Sequence, residues 1–205
     1  MSKNTIVTIG REFGSGGREI GKKLAEQLNI PFYDKELINL AAKESGMSPE
    51  VFEAADEQAT NSLLYSMSVG AFSLGSHITN IADMPVNDKL FLLQCNIIKK
   101  IAQKGSCVIV GRCAYYVLQG QSNCLNVFIR GDMPQKIERI GKLYNMPPKK
   151  AEEVILKTDK RRKNYYNYYT GLKWGRMENY DLILNSSQFG IDNCVKILQT
   201  LFELN

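Results

Sequence analysis

Short apolar runs alternate along this chain with longer stretches in which apolar positions recur every three or four residues. Ile6-Val7-Thr8-Ile9 is a β-branched run of the kind found in a strand buried on both faces. Four glycines then fall among the eight positions from Gly10 to Gly17. From about Gly17 to Leu28, the residues Ile20, Leu24, Ala25 and Leu28 share one face, so the spacing predicts an amphipathic helix. Asn29-Ile30-Pro31 ends it, Phe32-Tyr33 begins a second strand, and Asp34-Lys35 stops that strand. A strand, a glycine loop, a helix and a strand within roughly 30 residues make a βαβ unit, which implies a parallel sheet.

The pattern continues in the same alternation. Lys35 to Glu57 is helical apart from a break at 46–49, where Ser48 reads as an N-cap and Pro49 as the first helical residue. Thr60 to Met84 is rich in Ser, Gly and Met, has no clean period, and is expected to be the most mobile stretch. A helix from about Asn87 to Gln103 stops at Gly105, ahead of a strand at Cys107 to Val110. Another strand runs from Leu125 to Ile129, and Asp132 and Pro134 open a helix with Ile137, Ile140 and Leu143 facing inward. Pro147-Pro148 opens a further helix, with Ala151, Val154 and Ile155 inward, that runs into a basic, tyrosine-rich stretch ending at Tyr169. A strand from Tyr180 to Leu184 and a helix from Ile191 to about Phe202, burying Ile191, Val195, Leu198 and Leu201, close the chain. Five strands separated by helices predict one three-layer α/β domain over 1–205, a parallel five-stranded sheet with helices on both faces.

Composition narrows the chemistry. With 205 residues, 44% apolar and 23% charged, the chain can bury a core as a single globular domain. It has no run of about 18 apolar residues to span a membrane. Its N-terminus enters a strand without a cleavage-like site, so a cytoplasmic location is expected. Five cysteines stand singly, which argues against a disulfide framework. His77 is the only histidine and reads as a loop residue, so His-based metal sites and Ser-His-Asp triads have little support. A net charge of +5 suits an acidic ligand such as a nucleotide, and would equally suit weak nucleic-acid contact.

The glycine loop lies where parallel sheets bind ligands, between the carboxyl end of a strand and the start of a helix. Glycines there let successive N–H groups turn inward as an anion nest, and the helix N-terminus adds partial positive charge. Gly14, Ser15, Gly16, Gly17 and Arg18 are therefore the candidate phosphate cradle. The loop departs from G-x-x-x-x-G-K-[ST]: with Gly16 as the second glycine, the first falls on Arg11, the lysine slot on Gly17 and the Ser/Thr slot on Arg18. The phosphate-bridging ammonium and the hydroxyl that ligates Mg²⁺ are both missing. Arg18 is the candidate replacement, as a bidentate phosphate clamp. The plainer alternative is a solvated first-turn side chain, although a cation at a helix N-terminus opposes the dipole unless an anion sits between them. A dinucleotide G-x-G-x-x-G reading fits poorly, since only Gly16 to Gly21 comes near the spacing and nothing supplies a hydride-transfer site.

Four segments together resemble the cytidylate kinase-like family, bacterial relatives of the nucleoside monophosphate kinases, over essentially the whole chain. They are Ile9 to Glu19, Phe32 to Ile38, Val108 to Ala114, and Asp159 through Tyr165-Tyr166 to Trp174 followed by Tyr180 to Asn185. The resemblance implies a P-loop NTPase-type kinase fold with an acceptor-binding insert at about 35–90 and a helical lid at about 147–175. It also implies ATP and Mg²⁺ as cofactors and a small nucleotide substrate, with a nucleoside monophosphate such as CMP as the first candidate. Ordinary cytidylate kinases carry a full Walker loop, Asp-Ser-Gly after the second strand and Gly-Arg-Asp after the third. This chain has Asp34-Lys35-Glu36 and Gly111-Arg112-Cys113 at the latter two places. By resemblance, Gly111 and Arg112 hold the acceptor phosphate and Asp34 lies near the acceptor or the metal. From the residues alone, Arg112 sits in a Gly-Arg turn after a buried strand; the competing reading is an arginine that pins the loop through a carboxylate. Cys107 and Cys113 read as small buried apolar residues.

Lys157, Lys160, Arg161, Arg162 and Lys163 place five cations in seven positions. Alone, such a run reads as a solvated helix face, and next as a nucleic-acid contact with Tyr165, Tyr166, Tyr168 and Tyr169 stacking on bases. Beside a phosphate loop it falls where the related kinases carry a lid, whose closing arginine neutralises charge during transfer. Arg161 and Arg162 are the candidates for that role, with Asp159 orienting one of them, and the tyrosines read as packing. The leading reading is therefore an ATP-dependent small-molecule kinase in which Arg18→Ala nearly abolishes turnover. The alternative is a nucleotide-binding regulatory or sensor module with a degenerate loop and little catalysis. Nucleic acid is the weakest partner, a membrane is excluded, and apolar residues within 60–84 offer an interface for a homo-oligomer.

Overall fold

A computed structural model of the protein describes residues 4–34, 85–121 and 123–204. Along the chain these form β1 (Ile6–Arg11), α1 (Gly17–Leu28), β2 (Phe32–Tyr33), α2 (Val86–Lys104), β3 (Cys107–Val110), α3 (Ala114–Val117) and β4 (Cys124–Arg130). There follow α4 (Met133–Tyr144), α5 (Pro148–Thr170), a 3₁₀ turn at Met177–Asn179, β5 (Leu182–Asn185), α6 (Ser186–Phe189) and α7 (Ile191–Leu204). Residues up to 34 and from 98 onward make one compact unit; residues 35–97 make a second, of which 85–97 are described. The expected insert before residue 85, with Ser48, His77 and the stretch proposed as an interface, lies outside the described residues.

The sheet is parallel throughout, in the order β2-β3-β1-β4-β5. β2 and β3 lie to one side of β1, and β4 and β5 to the other. The carboxyl end of β1 is thus the switch point at which doubly wound sheets bind ligands. Ile9 pairs with Val110 of β3, and Arg11 pairs with Ile129 of β4. The strand runs two residues beyond its apolar run because β4 goes on pairing with Gly10 and Arg11. Gly10 leaves room for aromatic rings: a Cβ there would lie 2.8 Å from Phe128 Cδ2 and 3.2 Å from the Tyr180 ring. Gly10 thus serves sheet packing, and the loop proper starts at Glu12.

On one side of the sheet, Ile20 and Leu24 of α1 and Val195 and Leu198 of α7 close over Val7 and Val127. Each such fully buried aliphatic side chain contributes about 1.5–3 kcal/mol, which anchors α1, and with it the end of the loop. A smaller cluster joins α4 to α5 through Ile140, Ala151 and Ile155, with Phe13 of the loop packed against it. Leu143, expected inward, is 61% exposed, whereas Lys136 is buried. The inward stripe of α4 is Met133, Lys136, Ile137 and Ile140, the i, i+3, i+4, i+7 pattern of one helical face. β5 starts at Leu182 because Tyr180 closes the preceding 3₁₀ turn, donating its N–H to the Met177 carbonyl. Among the described residues no helix is long and apolar enough to cross a membrane.

Candidate active site

The parallel sheet brings the ends of all five strands to one edge, and with them Arg11, Asp34, Arg112, Gly131 and Ser186. Between β1 and α1, Gly14 and Gly16 take the left-handed conformation, with φ of 83° and 78°. Side chains rarely adopt it, and it turns neighbouring amides toward a common point. Gly16 caps α1, and Gly17 and Arg18 open it, so first-turn amides that lack intrahelical partners lie beside the loop. The Ser15 hydroxyl is spent on bracing, donating to the Glu12 carbonyl at 2.9 Å. The Ser15 carbonyl accepts from the Ser186 hydroxyl at 2.6 Å, which also donates to Arg130 O at 3.0 Å.

Arginines gather next to this cradle. Arg18 is 57% exposed, and its Nε donates to Asp34 Oδ2 at 2.5 Å. Arg11 Nη2 lies 3.7 Å from the other oxygen of the same buried carboxylate. The Arg11 guanidinium rests on Gly111, where any Cβ would collide with it, and its stem lies against Gly17. Arg162 reaches in from α5, donating to the Arg11 carbonyl at 3.1 Å with its guanidinium 5.4 Å from the Phe13 ring centroid. Burial, then repulsion from Arg162 and Arg112, depresses the Arg11 guanidinium to about 9, with Asp34 and Asp159 opposing the shift. Arg162 is lowered too, by burial first, against the pull of Asp159 and Asp34. Arg11, Arg112 and Arg162 thus stand within one another's fields beside the loop.

Arg112 is held in an unusual turn. Gly111, Arg112 and Cys113 are consecutive left-handed residues, with φ of 78°, 56° and 55°. For the two non-glycine residues this costs roughly 1–2 kcal/mol each, a cost that persists where the surroundings over-determine the backbone. Cys113 and Ala114, both buried, fix the turn, and the Ala114 N–H closes it on the Gly111 carbonyl at 3.0 Å. Cys107 and Cys113 are both buried, in keeping with small apolar residues.

On the other side of the loop, Lys136 Nζ lies 3.0 Å from Glu12 Oε2 and 3.5 Å from Asp159 Oδ2. The same Glu12 oxygen accepts the Gly131 N–H at 3.0 Å, and Asp159 Oδ1 accepts the Phe13 N–H at 2.6 Å. Burial pushes the Asp159 carboxyl up, while the Phe13 amide, Lys136 and Arg162 pull it back. The hydrogen bonds of Asp159 go to the loop and Lys136, and Arg162 senses it as a nearby charge. Arg161 Nε is buried without an acceptor among the described residues. Tyr166 is buried, and the rings of Tyr165 and Tyr168 pack on Tyr169.

Gly14 to Arg18, Asp34, Gly111, Arg112, Asp159 and Arg162 thus come from four separate segments to one edge of the sheet. Sequence reasoning passed over Arg11, Glu12, Lys136 and Ser186. Lys136 did leave a signal, as a cation on the apolar stripe of α4. Arg11 and Glu12 did not, because they stood in slots where the Walker pattern has a glycine and an unspecified residue. Among the described residues no three His, Cys, Asp or Glu side chains cluster as a metal site.

A parallel sheet in this order, with a glycine loop between β1 and α1, has the fold of the P-loop kinases. Shikimate kinase from Bacteroides thetaiotaomicron superposes over 98% of this chain and 99% of its own, with a TM-score of 0.55 at 15% identity. The chain belongs to the cytidylate kinase-like family, whose profile matches residues 6–188. Cytidylate kinase from Pyrococcus horikoshii is 25% identical over 203 residues, 97% of this chain and 88% of that protein. The one from Methanopyrus kandleri is 20% identical over 212 residues, 99% of this chain and 95% of that protein. An uncharacterized protein from Eubacterium ventriosum shares 31% identity and a TM-score of 0.72, covering 98% of this chain and 99% of its own.

Proposed function

We propose that this protein transfers a phosphoryl group from ATP to a small acceptor, with a nucleoside monophosphate such as CMP as the first candidate. The observation that carries the reading is the convergence of Arg11, Arg112 and Arg162 beside the glycine loop, close enough to repel one another. The amides from Gly14 to Arg18 cradle the donor phosphates, and Arg112, in its strained turn, grips the acceptor phosphate. Arg162 and Arg161, on the helix that forms the lid, neutralise charge as the phosphoryl group moves. Asp34, between Arg11 and Arg18, orients those two guanidinium groups. Phosphoryl transfer asks mainly for positioning, charge neutralisation and exclusion of water, which such an arrangement provides.

Mg²⁺ bound with ATP supplies further neutralisation of the donor phosphates. The nearby carboxylates of Asp34, Glu12 and Asp159 each already face a cation. That suits a metal held mostly by phosphates and water, as Mg²⁺ commonly is. A second reading, a nucleotide-binding module with little turnover, is favoured by the absence of lysine at Gly17 and of a hydroxyl at Arg18.

A coupled ADP-release assay with ATP, Mg²⁺ and a panel of nucleoside monophosphates separates the two. Acceptor-dependent turnover with CMP or UMP is expected. ATP binding by calorimetry with no turnover for any acceptor would favour the binding module instead.

A further inference from the structure

We infer that Arg11, at the end of β1, is the cation that takes over from the missing loop lysine against the terminal phosphates of the donor, and that Gly17 and Gly111 are glycines because they house it. The inference rests on the phosphate-donor reading of the loop and assigns its key charge. Position 17 is the lysine slot, and a Cβ there would lie 2.6 Å from Arg11 Cβ and 3.2 Å from its Cγ. The loop can therefore carry a side chain at 17 or the Arg11 stem in this place, but not both. The guanidinium at the far end of that stem occupies the space that a side chain at Gly111 would need. Two glycines, one opening α1 and one following β3, thus frame one arginine.

The donors of Arg11 are also uncommitted. Its only carboxylate neighbour within ion-pair range among the described residues is Asp34, at 3.7 Å, beyond hydrogen-bond length. Arg18 has the opposite character, being more than half exposed with its Nε engaged by Asp34 at 2.5 Å. The side chain of Arg11 is only 20% exposed, yet it shares its surroundings with Arg112 and Arg162. An enclosed planar fork with free donors among other cations matches the bidentate geometry of a phosphate oxygen pair. Asp34, hydrogen-bonded to Arg18 and 3.7 Å from Arg11, attracts the fork without engaging its donors.

The test compares calorimetric affinities for ATP and for AMP, which lacks the β- and γ-phosphates, in the wild type and in Arg11→Met, Arg11→Lys, Gly111→Ala and Arg18→Met. Methionine keeps an apolar stem against Gly17 and removes only the fork. Arg11→Met is expected to weaken ATP binding at least ~30-fold, the scale of a lost bidentate charged pair, and AMP binding less than about threefold. Arg11→Lys recovers part of the loss. Gly111→Ala, which displaces the guanidinium without removing it, reproduces the selective loss of ATP, while Arg18→Met costs less than about fivefold. ATP binding within threefold of wild type in Arg11→Met, equal losses for ATP and AMP, or a larger loss in Arg18→Met each overturns the assignment. Should Arg11→Met lose its cooperative melting transition, Gly111→Ala and Arg11→Lys decide by the same ratio. A wild type that binds ATP but turns over no acceptor removes the transfer reading and leaves this comparison intact, whereas one that binds no ATP overturns both.

Discussion

On the β2–β3 side of the glycine loop, Arg11 and Arg18 share the buried carboxylate of Asp34, Arg112 and Arg162 stand in the field of Arg11, and Asp159 acts on Arg11 and Arg162. On the α4–α5 side, one buried lysine stands between two acids, Glu12 and Asp159, each of which also accepts a backbone N–H. Both corners enclose charge beside the same loop, yet they are completed differently. The lysine corner has a partner for every charge, so it can fasten the glycine loop, α4 and α5 together whether or not a ligand is present. In the arginine corner Arg11, Arg112 and Arg162 stand in one another's fields, so the fold bears repulsion among like charges there. Charge that is paired serves the fold, and charge of one sign left in excess serves binding.

The largest expected effect comes from Arg112→Gly. Glycine accepts the left-handed backbone at φ 56° without steric cost, so the relief offsets the extra freedom given to the unfolded chain. The melting temperature should move by less than about 3 °C, whereas kcat/KM should fall about 10²–10³-fold, the scale of one preorganised electrostatic donor. Steady-state kinetics beside differential scanning calorimetry reads both. A fall of ten degrees with little change in kcat/KM would place Arg112 among the residues that hold the turn.

Lys136→Met should give the reverse pattern. It leaves Glu12 and Asp159 facing each other without their cation, and breaking such a buried set costs about 3 kcal/mol, the low end for charges that keep some exposure. For a chain of this size that lowers the melting temperature by about 6–12 °C. Affinity for ATP, measured well below the transition, should change much less than in the arginine variants. Unaltered melting would show that the lysine corner does not fasten the fold.

The contrast between the two corners was only half visible in the sequence. The α/β order, the parallel sheet, the limits of α1 and the loop at its N-terminus followed from local periodicity and glycine placement, because buried parallel strands and amphipathic helices announce themselves within a few residues. Gly111 and Arg112 were legible as a turn after a buried strand, and Arg162 as part of a basic run. The lysine corner was not, since Glu12, Lys136 and Asp159 are separated by 124 and 23 positions and meet only through the packing of α4 on α5. Leu143 and Lys136 show the limit most plainly: seven positions apart, they share nearly the same azimuth of α4, yet the leucine in the last turn is exposed while the lysine is buried against two distant acids. The place of the Arg11 side chain was likewise set by space rather than by spacing, through the room that Gly17 and Gly111 leave for it.

The smallest effect sharpens the comparison most, because its sign differs from that of an ordinary deletion. The Arg11 guanidinium, depressed from its ordinary value to about 9, is disfavoured by the ligand-free fold in its charged form. A cation whose folded value lies below its unfolded one costs stability at pH below the folded value, and the cost is relieved only as pH rises through it. At pH 7 the full cost is present, so Arg11→Met should raise the melting temperature of the ligand-free protein by about 2–4 °C, corresponding to about 1 kcal/mol. In saturating tripolyphosphate the order should invert: wild type gains stability by mass action from an anion held by Arg11, and the variant gains less. Calorimetric melts of both proteins with and without tripolyphosphate provide the four values needed. A variant that melts lower than wild type in both conditions would show that Arg11 is already paired within the fold, and the difference between the two corners would disappear.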